Sequence, residues 1–164
     1  MLLRANLNRT LPDPLHLYIR ASGEQTATLA LWQGSLSKSV SSTSLVQSQG
    51  SLGDATLELV TRSRAIQEPW VLVLDGDVIP RPKSISRLLR IAEASEPGTS
   101  CLLGMVASKP LGRFRVAGVH LYRTATLANQ AYPLCASAKD RARMLQSERP
   151  ENFLLRRLAY QGFP

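Results

Sequence analysis

The stretch "EPWVLVLDGDVIPRP" (68–82) constrains this chain more than any other. Residues 70–74 are apolar without interruption, and Val71 and Val73 are β-branched. Such a run reads as a strand buried on both faces, in a sheet covered by helices. It stops at two aspartates separated by one glycine, and prolines follow at 80 and 82. A returning hairpin strand would not carry two prolines, so the "DG" pair is not a hairpin turn. The chain therefore brings two carboxylates to the end of a buried strand.

The surrounding sequence alternates strand and helix patterns. "LHLYIR" (15–20) reads as a short strand, and "EQTATLALWQGSL" after it has near-helical spacing at Ala27, Ala30 and Leu31. A serine- and glycine-rich stretch (34–54) contains "VSSTSLVQ", a poor edge strand. "GDATLELVTRSRAIQ" (53–67) reads as a helix with Asp54 as N-cap and Leu57, Val60 and Ile66 on one side. Pro82 opens a helix in which Ile85, Leu88, Leu89 and Ala92 keep one apolar face. "CLLGMV" (101–106) and "FRVAGVHLY" (114–122) read as strands, and a last helix runs from Pro150 to Gly162. At 164 residues the chain makes one domain, 1–164. The expected fold is a three-layer α/β/α domain with a mainly parallel central sheet.

Charge narrows the partners. The net charge is +8, with 16 arginines against 4 lysines, which favours an anionic partner. The cations are dispersed from Arg4 to Arg157, and aromatic residues make up only 5%. A nucleic-acid surface built on base stacking is therefore not expected. No apolar run approaches the roughly 20 residues that span a bilayer. "MLLRANLNRT" is too polar for a signal peptide, so a cytoplasmic location is expected. The two cysteines, Cys101 and Cys135, fit neither a disulfide framework nor a zinc spacing and read as buried free thiols.

Ligands of α/β sheets collect at the carboxyl ends of the strands. Asp75 and Asp77 stand there, and residues i and i+2 of an extended chain point the same way. Gly76 between them lets the backbone approach a ligand closely. Two hard oxygen ligands suit Mg²⁺ or Mn²⁺, which accept phosphate oxygens as well. An EF-hand loop is excluded by Pro80 at its sixth position and Ser86 at its twelfth. Phosphatases of the haloacid dehalogenase kind need a later acidic motif, and only scattered Glu93, Glu96, Asp140, Glu148 and Glu151 follow.

"AIQEPWVLVLDGDVIPRPKSISRLL" resembles the central segment of family 2-like nucleotide-sugar glycosyltransferases of the GT-A fold, with its D-x-D motif. "LHLYIRASGEQTATLALWQGSL" is similar to that family's first strand and helix, and "VAGVHLYRTATL" to the acceptor-side strand. The resemblance covers most of residues 15–127. It implies a Rossmann-like nucleotide-binding half and sugar transfer from a nucleotide-sugar to an acceptor hydroxyl. It implies that Asp77 holds the metal, with Asp75 on the metal or the ribose, and that Arg20, Glu24 and Gly76 lie along the nucleotide-sugar. The acceptor, whether glycan, lipid or protein, is not indicated. Glu151 is the candidate general base, in the first turn of the last helix. The family's usual acidic pair is missing from that helix, and its later elements, including a metal-binding histidine, would lie beyond Gly162. His16 and His120 are expected to be structural. The alternative expectation is a non-catalytic nucleotide-binding or interaction domain of the same fold.

Overall fold

The computed structural model describes residues 15–21, 42–47, 51–75, 78, 84–108, 113–147 and 150–160. Five strands form one sheet: β1 (Leu15–Ala21), β2 (Ser42–Gln47), β3 (Trp70–Asp75), β4 (Cys101–Ser108) and β5 (Arg113–Arg123). Their spatial order is β2-β1-β3-β5-β4. β1 runs parallel to β2 and β3, whereas β5 runs antiparallel to both β3 and β4. The sheet is thus mixed, which corrects the expectation of a mainly parallel one. The physical reason is the connection between β4 and β5, residues 109–112, which is too short for the crossover that parallel neighbours require.

The run at 70–74 behaves as its composition demands: Trp70 to Leu74 are all buried. Its side chains alternate between two apolar clusters. Trp70, Leu72 and Leu74 join Leu15, Leu17, Ile19 and Leu121. Helix α2 (Ser84–Glu93) closes this cluster with Ile85, Leu89 and Ala92. Val71 and Val73 join Tyr18, Tyr122 and the remaining helices in the other. Those helices are α1 (Leu52–Arg62), a helical run α3 over 124–136 with a π turn at Leu127–Ala131, α4 (Ala138–Leu145) and α5 (Pro150–Tyr160).

Helix α1 starts earlier than expected. Its N-cap is Ser51, not Asp54; Asp54 is the third helical residue and completes a reciprocal capping box. The Asp54 amide donates to Ser51 Oγ at 3.2 Å, and the Ser51 amide donates to Asp54 Oδ2 at 2.8 Å. The Ser51 hydroxyl, donating to Asp54 Oδ2 at 2.8 Å, and then the Ser51 amide hold the Asp54 carboxyl below its usual range. The buried stripe of α1 is Ala55, Thr56, Leu59 and Val60, with Leu57 and Ile66 only partly covered. Gly53 lies so close to α4 that an added Cβ would stand 2.7 Å from the Met144 carbonyl oxygen. Only a residue without Cβ permits that approach.

The expected helix near residues 27–34, the Pro82 helix start and the Gly162 stop lie outside the described residues.

Candidate functional site

The carboxyl edge of the sheet is where the sequence places its chemistry. Asp75 is the last residue of β3, and its Cα partner across the parallel ladder is Arg20. An acid and a base therefore occupy register positions at the ends of adjacent central strands. Asp75 is half-buried and continues the Val71, Val73 side of the strand.

Immediately after Asp75 the chain closes on itself. The Val78 amide donates to the Asp75 carbonyl at 2.9 Å, an i to i+3 bond. The expectation that both carboxylates point the same way falls on Asp77, which lies outside the described residues. Val78 is itself buried and joins the cluster of Leu74, Ile85 and Leu89. The described residues Asp75 and Val78 are thus placed, one at the end of the sheet's strand and one in the core. Gly76 and Asp77 lie outside the described residues, as does Glu24.

Glu151 occupies the first turn of α5 and is half-buried. Helix α5 packs on α1, α3 and α4, with Leu154 and Leu158 in the cluster that also holds Val71 and Val73. Glu151 and Asp75 consequently belong to the same side of the sheet.

Both histidines are buried. His16 lies at the opposite edge, in register with Val71, and its Nδ1 is 3.9 Å from Glu68 Oε2. Burial lowers its pKa from 6.5, opposed by the charge of Glu68 and reinforced by Arg62. His120 is on β5, opposite Val73, and its ring stacks on Tyr122 with centroids 5.8 Å apart. Both cysteines are free thiols. Cys135 is buried and Cys101 half-buried, so both are free thiols as expected and burial is complete only at Cys135. Burial pushes Cys101 up to about 12 and Cys135 up to about 11, the latter helped by Asp140. Neither is a thiolate at neutral pH, which removes them as nucleophiles.

Of the two carboxylates expected to hold a divalent cation, only Asp75 is among the described residues, half-buried at the end of β3. Among the described residues, no three of His, Cys, Asp and Glu are grouped to hold a metal by themselves. No described helix is long and apolar enough to cross a membrane.

The sequence reading missed α3 and α4 and, of the residues they bury, Leu127, Ala131 and Met144. A signal existed for α4: Ser137 caps it by accepting from the Asp140 amide, the same serine-to-acid spacing as Ser51 and Asp54. No protein-family model matches the sequence, and no curated protein matches it significantly.

Proposed function

We propose that the chain is a GT-A type glycosyltransferase domain that transfers a sugar from a nucleotide-sugar to an acceptor hydroxyl. The sheet's parallel half would be the nucleotide-binding half of a three-layer α/β/α domain. The observation that supports the reading best is the placement of Asp75 at the carboxyl end of a central buried strand, in register with Arg20. Anionic ligands of α/β sheets bind at such ends.

The residues take these roles. Asp75 and Asp77 offer carboxylate oxygens to Mn²⁺ or Mg²⁺, and Gly76 lets the diphosphate come close to the backbone. Arg20 and Glu24 would lie beside the base and the diphosphate. When bound, the cation neutralises charge on the departing diphosphate. Glu151 accepts the proton of the acceptor hydroxyl, from the side of the sheet it shares with Asp75. The acceptor is a glycan, lipid or protein, and the net charge of +8 favours capture of the anionic donor.

Thermal unfolding with UDP, GDP, CDP or dTDP, each with and without Mn²⁺, tests this. One nucleotide should raise the midpoint only with metal, and Asp77→Ala should abolish the rise. No rise with any nucleotide, in a chain that unfolds cooperatively, removes the donor site.

A further inference from the structure

The outermost strands of the sheet differ in chemistry. β2, at one edge, is the mostly polar "STSLVQ". β4, at the other, is "CLLGMVAS", without a charge in a chain of 20 Lys and Arg and 12 Asp and Glu. Natural sheets blunt an open edge with charges, prolines or bulges, because its outward N–H and C=O groups invite another strand. Among the described residues β4 pairs with β5 alone. The ladder between them is irregular, but two steps along β4, Leu103 to Met105, match four along β5, His120 to Val116. The extra residues belong to β5, so the irregularity does not interrupt β4.

Exposed apolar side chains gather at this edge. Four large ones are exposed among the described residues: Leu52, Ile91, Leu103 and Met105. Leu103 and Met105 are on β4, 43% and 67% exposed, and Ile91 is on α2, the helix that packs against β4. Charge is arranged along the same edge. Glu93 and Glu96, both exposed, precede the amino end of β4. Arg113 and Arg115 are the register partners of Ser108 and Val106 at its carboxyl end. Of the cations at the amino end, Arg123 is held over Trp70 and to the Thr99 carbonyl, and Arg90 stands one turn before Glu93. The edge is therefore acidic at one end, basic at the other and apolar between them.

A segment with that polarity is complementary to its own reversed copy. We propose that β4 is a self-association edge, pairing antiparallel with β4 of a second copy about a two-fold axis and joining two five-stranded sheets into one. The Glu93 and Glu96 end of each copy then meets the Arg113 and Arg115 end of the other, with Leu103 and Met105 near the axis. Parallel pairing would set like charges together. β4 runs in the same direction as β3, since both are antiparallel to β5. The reversal therefore sends the two Asp75 ends in opposite directions, and neither copy covers the other's candidate site. The pairing is independent of the glycosyltransferase reading.

Sedimentation equilibrium over a wide concentration range tests this, with hydrogen exchange of the β4 amides beside it. The native chain should reach twice its mass of 18.0 kDa, with the β4 amides protected in the dimer. Met105→Lys and, separately, Leu103→Lys alter exposed positions and should keep the native circular dichroism. Each should weaken the dimer about tenfold or more and release the β4 amides. Glu96→Arg and Arg113→Glu should each associate more weakly alone and regain the dimer when mixed, because only the mixed pair opposes unlike charges at both ends. A monomer at every concentration overturns the proposal; β4 amides protected in that monomer would assign the edge to another segment of the same chain. A dimer that both lysine variants leave intact lies elsewhere and overturns it too. Open-ended oligomers, which would set β4 against β2, overturn it, and no recovery on mixing overturns the antiparallel arrangement.

Discussion

The two ends of strand β3 are built from the same buried run but are finished differently. At the amino end Trp70 lies under the Arg123 guanidinium, 4.5 Å from its ring centroid. Arg123 also donates from its amide to the Ser100 carbonyl at 2.8 Å and from Nε to the Thr99 carbonyl at 3.0 Å. Thr124 donates from its amide to the Pro69 carbonyl and from its hydroxyl to the Glu68 carbonyl. At the carboxyl end the strand stops at Asp75, and one backbone bond to Val78 closes the chain. One end is tied into its neighbours by side chains, while the other presents a carboxylate. The difference shows that the amino end of β3 is tied to the segments beside it, while its carboxyl end brings an acidic residue to the edge of the sheet.

The largest effect should separate the two ends outright. Trp70→Ala removes a side chain that is 5% exposed and should cost about 3–5 kcal/mol in chemical unfolding. Asp75→Asn, at the half-buried carboxyl end, should cost no more than about 1 kcal/mol in the same experiment. Similar losses for both would erase the distinction.

A smaller change probes the tie alone. Arg123→Met keeps the aliphatic stem over Trp70 but removes the cation and the Nε donor. A loss of about 1–2 kcal/mol is expected, since the half-buried Thr99 carbonyl loses its donor.

The smallest effect is in the pH dependence, again at the amino end. The folded pKa of His16 lies below its unfolded 6.5, chiefly through burial. Below pH 6.5 the unfolded chain takes up a proton that the folded chain does not. The stabilisation is therefore present above 6.5 and is lost as pH falls towards the folded pKa. His16→Gln should flatten this part of the stability profile; an unchanged slope would place the titration elsewhere.

Much of the fold was legible because apolar runs leave a sequence mark, from the wholly buried one at 70–74 to the partly exposed one at 101–105. The runs at 15–20, 70–74, 101–106 and 114–122 all became strands, and even the weak "VSSTSLVQ" became the parallel edge strand β2. Strand direction was misread because a strand's own composition does not state which way its neighbour runs. The four residues between Ser108 and Arg113 carried that information, since only antiparallel neighbours can be joined so briefly. Helix α3 was hidden because Pro133 breaks its pattern and the π turn shifts the register of Leu127 and Ala131. The position of Asp75 at the sheet edge was legible from the abrupt end of "WVLVL". The Val78 closure was not, because it depends on a backbone bond that any residue type can make.

Paramagnetic broadening of backbone amide signals by Mn²⁺ with UDP tests the central claim most directly. The account predicts strong, local loss of the Arg20, Asp75, Val78 and His120 signals, with those of His16, Trp70 and Arg123 retained. Broadening centred on the amino edge, or spread evenly over the chain, would contradict it.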